Sequence, residues 1–374
     1  MRAFHVVPWV LLLFAARAAA QSVPDTVSAA PAMPAEIQTA PAPSPGGGSA
    51  NATNPAISVI GWFQGSAGND PTLPHDAMAL PEAELGFQSA VDPFTRADFF
   101  MSATPEGLDV EEGYLTWLAL PGGGQAKVGR FRTDLGKFNR THPPETPFAD
   151  RPLVELAFLG EEGLTTSGVA ASLLVPNPLG LYWDAVVNVG TIPSPGESPV
   201  FFADERSDLL TVARTSAFVP LHESADLNLG LSYANGLADS TLRSNGSRSQ
   251  LGVADLTFHW KNPRRSIYRA LIVQAEGVML QGTDSGSPRT GGTFAYALWQ
   301  FARQWKAGVR GDWSESPGVS DATRGVLALL QYQPSEFSTM SVQARRTRDP
   351  GGDTHDAIFF KWLFNIGPHG AHPY

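Results

Sequence analysis

From Pro55 onward, polar and apolar residues alternate with a period of two. Glu82, Glu84 and Gln88 alternate with Ala83, Leu85 and Phe87, and Arg96 and Asp98 alternate with Ala97, Phe99 and Met101. Asp226, Asn228 and Ser232 interleave with Leu227, Leu229, Leu231 and Tyr233, and Asp255, Thr257, His259 and Lys261 with Leu256, Phe258 and Trp260. The last such run sets Lys361 and Asn365 against Ile358, Phe360, Trp362, Phe364 and Ile366. Successive side chains of a strand point to opposite faces, so each run predicts one polar and one apolar face.

The runs last about nine to twelve residues, whereas soluble strands cluster near five or six. Their apolar faces carry aromatics near the ends, among them Trp62, Trp117, Trp183, Trp260, Trp299, Trp313 and Trp362. Interfacial girdles of a membrane barrel sit at such positions. About sixteen strands are predicted, at 56–65, 80–91, 94–103, 108–120, 125–135, 164–175, 181–192, 209–219, 225–234, 250–261, 267–280, 292–303, 306–314, 324–333, 338–348 and 356–366. The links between them alternate in kind. One set is short and turn-like; the other is longer and polar, at 66–79, 136–163, 193–208, 235–249, 281–291, 315–323 and 349–355, with 104–107 the one short link where a long one is expected. A sandwich has no reason to alternate its links in this way.

The fold class expected is all-β: a transmembrane antiparallel β-barrel of about 16 strands, with long outer loops and short periplasmic turns. Closure follows from the solvent, since an open strand edge in hydrocarbon leaves a row of unsatisfied backbone groups at several kcal/mol each. The polar faces then line a lumen wide enough for water. On "AKVGRFRTDLGKFNRT" this assigns Arg130, Arg132 and Asp134 to the pore and Phe131 and Leu135 to lipid.

The ends refine the picture. Arg2 followed by "VVPWVLLLFAA" is too short to span a bilayer and predicts a signal peptide, residues 1–20, cleaved after Ala20. Residues 21–55 are Pro, Ala, Ser and Gly with few bulky apolar groups, the composition of a disordered periplasmic spacer. The barrel is expected over 56–374. The chain has no Cys, which excludes disulfides and thiolate metal sites. Its net charge of −10 disfavours nucleic acid as a partner.

The unit "GYLTWLALPGGGQAKVGRFRTDLGKFNRT", followed by "PFADRPLVELAFLGEEGL" and a new strand, resembles the phosphate-selective porin O/P-like outer-membrane proteins. The resemblance implies a sixteen-stranded barrel in a Gram-negative outer membrane. It also implies a homotrimer that passes small anionic or neutral solutes. The lysine- and arginine-rich ladder of a phosphate channel is not evident in this chain.

Candidate chemistry is sparse. The eight His are scattered, and no Ser nucleophile elbow or His-Glu zinc helix appears, so neither an enzyme nor a cofactor is expected. His369 and His372 are weak metal-ligand candidates in "GPHGAHPY", outweighed by a plain periplasmic tail. The loop 136–163 is the longest link, and Asp150 ahead of Arg151 and Pro152 predicts a capped short helix in it. Its Leu153, Leu156, Phe158 and Leu159 need cover, so the loop is expected to fold inward as a constriction.

Arg130, Arg132, Lys137 and Arg140 would then form a basic path, with Arg96, Asp98, Asp134 and Lys361 also lining the pore. Lumen-facing cations and carboxylates nearly cancel along the strands, which predicts weak ion selectivity. The function expected is a porin, a passive diffusion channel for small hydrophilic solutes or ions, in contact with outer-membrane lipid. The alternative is a plug-less receptor or binding barrel like a TonB-dependent receptor, for example for metal uptake.

Overall fold

The computed structural model describes residues 55–73, 76–192, 198–203, 205–238, 247–265, 268–281 and 288–367. Residues 1–54, where the signal peptide and the spacer are expected, and His369 and His372 lie outside the described residues.

Sixteen long strands and one two-residue strand form a single antiparallel sheet. The first half comprises β1 (Ala56–Gly68), β2 (Met78–Ala90), β3 (Thr95–Thr104), β4 (Gly107–Leu120), β5 (Gly124–Arg132), β6 (Thr165–Leu174), β7 (Tyr182–Thr191) and the short β8 (Phe201–Phe202). The second half comprises β9 (Leu210–His222), β10 (Ala225–Ala238), β11 (Arg248–Lys261), β12 (Ala270–Gln281), β13 (Thr290–Ala302), β14 (Trp305–Ser316), β15 (Val319–Ser335), β16 (Ser338–Arg348) and β17 (Thr354–Ile366). Each long strand pairs with the next, β7 reaching across to β9 while β8 sits on the end of β10. The sheet closes where β1 meets β17, from Val59 opposite Ile366 to Gly68 opposite Ala357. Closure leaves no edge to satisfy in hydrocarbon.

Side chains divide as period two requires. Val128, Val169, Leu231, Val309, Val326 and Ile358 are each more than half exposed, forming the outward apolar belt. Glu82, Glu84, Asp98, Asp255, Glu276, Arg310, Asp312 and Lys361 are buried inside. A closed barrel with an apolar exterior belongs in a bilayer.

Three expectations are corrected. Phe131 and Leu135 do not face lipid; both are fully buried within the barrel. Arg130 lies opposite Gly113 and Ser167, on the same parity as the exposed Val128, and so not on the pore face. The reason is that this end of β5 meets a filled interior, where Phe131 packs edge-on against Tyr114 at 6.4 Å and needs no lipid. The lumen is also not polar throughout. The inner wall from β9 to β15 carries Leu210, Val212, Leu251, Val253, Val278, Leu280, Phe294, Leu298, Leu327 and Leu329, all buried in one cluster with residues of the β5–β6 loop.

Candidate functional site

The loop from Thr133 to Leu164 enters the barrel at one point and leaves beside it. Asn139, fully buried, ties the two ends together. Its Nδ2 donates to the carbonyls of Thr133 and Leu164, both at 2.9 Å, and its Oδ1 accepts from the Leu164 N–H at 2.7 Å. Gly136 then brings the backbone against the far wall. Its N–H donates to Ser232 Oγ, and the next two N–H groups donate to Glu276 Oε2 at 3.0 and 3.1 Å. At φ +72°, a side chain there would be strained and its Cβ, 2.0 Å from Glu276 Oε1, would have to displace the carboxylate that holds the loop.

The middle of the loop is held by charge. Lys361 Nζ lies 3.3–3.4 Å from the carbonyl oxygens of Pro143, Pro144, Thr146 and Phe148 and donates to this ring of acceptors. Asp150 is the hub of a second anchor. Its carboxylate accepts from Arg310 and Arg345, each at 2.8 Å, and from Gln343. Arg310 also reaches Asp312, and Arg345 reaches Asp70 in the β1–β2 loop, both at 2.8 Å. Burial by itself would raise the Asp150 carboxyl, but the two guanidiniums hold it below the usual range.

The expected helix is present as α1 (Leu153–Leu159), with Pro152 at its N-cap and no side-chain cap. The capping role given to Asp150 is therefore corrected: its carboxylate is committed to Arg310, Arg345 and Gln343. Val154, Phe158 and Leu159 are completely buried against the apolar inner wall. Phe138 meets Phe294 at 5.3 Å and Phe148 meets Tyr296 at 5.2 Å, both edge-on. The apolar face of the loop and the apolar half of the lumen cover one another.

Where the loop begins and ends, charged groups crowd the inner face of β2 and β4. Arg132 Nη2 meets Glu111 at 2.9 Å, and its backbone N–H donates to Glu112 at 2.8 Å. His142 bridges Glu84 at 2.7 Å through Nδ1 and Glu112 at 2.6 Å through Nε2. Burial opposes its charged form, yet Glu84, with Glu111 and Glu112, raises its pKa well above the ordinary value.

The opposite half of the lumen stays open. A void of 460 Å³ lies between the loop and the wall of β3 to β7, lined by Arg96, Asp98, Lys127, Asp134, Arg140 and Asp184 among others. Arg140 Nε is 3.2 Å from Asp134, and Arg96 is 2.6 Å from Asp98. Lys127 Nζ lies 4.3 Å above the Tyr114 ring. On the β13–β17 side, a space of 30 Å³ lies between residues 144–147 and Lys306, Gln331 and Lys361.

Of the residues singled out in the sequence, Arg96, Asp98, Asp134 and Arg140 do converge on one void. Arg132 is buried among carboxylates, Lys361 anchors the loop, Lys137 contributes its backbone N–H to Glu276, and Arg130 is on the other face. The four-cation basic path is thus not assembled. Lys127 and Asp184 were missed, although the parity that buries Phe131 also turns Lys127 inward, so the correct choice of face would have found it.

No family model matches the chain. An uncharacterised protein of Aquifex aeolicus (strain VF5) is 28% identical over 330 residues, 79% of this chain and 70% of the relative. An anion-selective porin from Comamonas acidovorans superposes with a TM-score of 0.56 at 10% identity, over 84% of this chain and all of that one. OmpT, an outer membrane protein of Vibrio cholerae in its trimer form, does so with 0.54 at 8% identity, over 84% and 100%. The outer membrane channel DcaP of Acinetobacter baumannii gives 0.54 at 10% identity, over 84% and 97%. The chain has the fold of the outer-membrane porins.

Proposed function

We propose that the barrel is a passive diffusion channel for small hydrophilic solutes, with no catalytic role. The path runs along the β3–β7 wall, and the Thr133–Leu164 loop is its constriction. The observation that carries this reading is the division of the lumen. Its apolar half is sealed by the loop, while a void on the other half is lined by three cations, Arg96, Lys127 and Arg140, and three carboxylates, Asp98, Asp134 and Asp184. Water and ions are stable only beside the second half.

The balanced lining supports a weakly selective pore rather than a phosphate channel, which would need an excess of cations along the path. On this reading the resemblance of the sequence to porin O/P-type proteins reaches no further than the barrel, with solute choice set by this chain's own charges. A homotrimer in the outer membrane fits the same reading. Purified, refolded protein should give discrete conductance steps in a planar bilayer. A folded barrel that inserts repeatedly and stays silent would refute the channel and favour a closed binding barrel.

A further inference from the structure

We propose that the return end of the constricting loop is tied to the barrel wall by a divalent cation, of the calcium class, held by Glu82, Glu111 and Glu162. This goes beyond the channel reading and does not depend on which solute passes. One carboxylate oxygen from each of the three residues lies within 4.8 Å of the others. Ligands on opposite sides of a calcium ion at about 2.4 Å each are about 4.8 Å apart, so one ion can touch all three. The donors come from three places: Glu82 from β2, Glu111 from β4 and Glu162 from the end of the loop, one residue before Gly163. An all-carboxylate set selects a hard cation rather than a soft one.

Two independent observations point to a ligand. Glu82 is 5% exposed, yet its Oε1 is buried with no hydrogen-bond partner, as is Glu111 Oε1. A buried carboxylate oxygen without a donor is costly. The charge count also fails to close. Glu82, Glu84, Glu111, Glu112 and Glu162 crowd together, and the cations in contact with them are Arg132 and a His142 already shared among Glu84, Glu111 and Glu112. Arg151 reaches Glu162 only through space. With Glu82 facing Glu111 at hydrogen-bonding range, either a proton or a cation must lie between them.

Calcium titrated calorimetrically into the full refolded chain, free of lipopolysaccharide and pre-treated with chelator at neutral pH, separates the two. The expected result is saturable binding of one ion per chain. Glu82→Gln keeps the size and a hydrogen bond to Glu111, while Glu162→Gln changes only the exposed loop end. Each should weaken binding by at least about tenfold, the lower bound seen when even outer partners of a metal site are lost. Absence of saturable binding in the wild type would assign the site to a shared proton and overturn the proposal. Unchanged affinity in Glu162→Gln would overturn it equally, and that variant decides the matter if Glu82→Gln does not fold. Conductance is not the readout, so failure of the channel reading leaves this result intact.

Discussion

Arg140 and Asp134 face each other across 3.2 Å at the edge of the void, whereas Arg130 shares the parity of the exposed Val128 on β5. Replacing Arg140 with Ala removes one of three cations from the lining and leaves Asp134 without that ion pair. The reversal potential in a salt gradient should then move toward cation preference, while Arg130→Ala should leave it where it is. Equal shifts in both variants would mean that the charges act through the whole barrel and not at this void. The alternation in the sequence located Arg96, Asp98, Asp134 and Arg140 because a strand must place every second side chain on one face. It could not tell which face of β5 was inside. Both Phe131 and Arg132 find cover there, one against Tyr114 and the other among Glu111 and Glu112, and nothing local in "GRFRTDL" records what fills the lumen.

At the scale of elements, the strands were legible because their period and link lengths are local properties, and the edges fell within a few residues. The path of the loop was only half legible. Its apolar residues demanded cover, but the matching apolar wall is spread over β9 to β15, and the anchors join residues far apart in sequence, such as Asp150 with Arg345. That anchor predicts a pH response. The folded-state pKa of Asp150 is depressed, so its contribution to loop docking is fully present above the unfolded carboxyl value of about 3.9 and is lost progressively as pH falls from there through the lowered folded-state value. Conductance should therefore be steady between about pH 5 and 8 and rise or become noisy only well below about pH 4, as Asp150 takes up its proton in the docked loop and the loop is released. Asp150→Asn should show the noisy behaviour at neutral pH, since Arg310 and Arg345 would lose their shared partner. A quiet Asp150→Asn channel would show that Lys361 and the apolar contacts suffice. A deletion of residues 143–160 removes α1 and both sets of anchored backbone together, and a folded barrel lacking them should conduct more than the wild type. Unaltered conductance in that deletion would place the constriction elsewhere.

For the molecule as a whole, two charge distributions act on a passing ion, and they differ in reach. The chain carries a formal net charge of −10, while the void is lined by equal numbers of cations and carboxylates. At about 1 M salt the Debye length is near 3 Å, so an ion in the constriction senses only Arg96, Lys127, Arg140 and their acidic neighbours. At about 0.01 M it is near 30 Å, and the field of the entire chain reaches the mouth of the pore. Negative potential concentrates cations there before they meet the balanced lining. Selectivity should accordingly be a function of salt: close to none at 1 M, and a clear preference for cations over anions at 0.01 M. Reversal potentials measured with a fixed concentration ratio at both ends of this range provide the check. Anion preference at low salt would mean that the lining is more positive than the count of three against three implies. Selectivity that does not change with salt would mean that the void alone sets it and the surrounding charge plays no part.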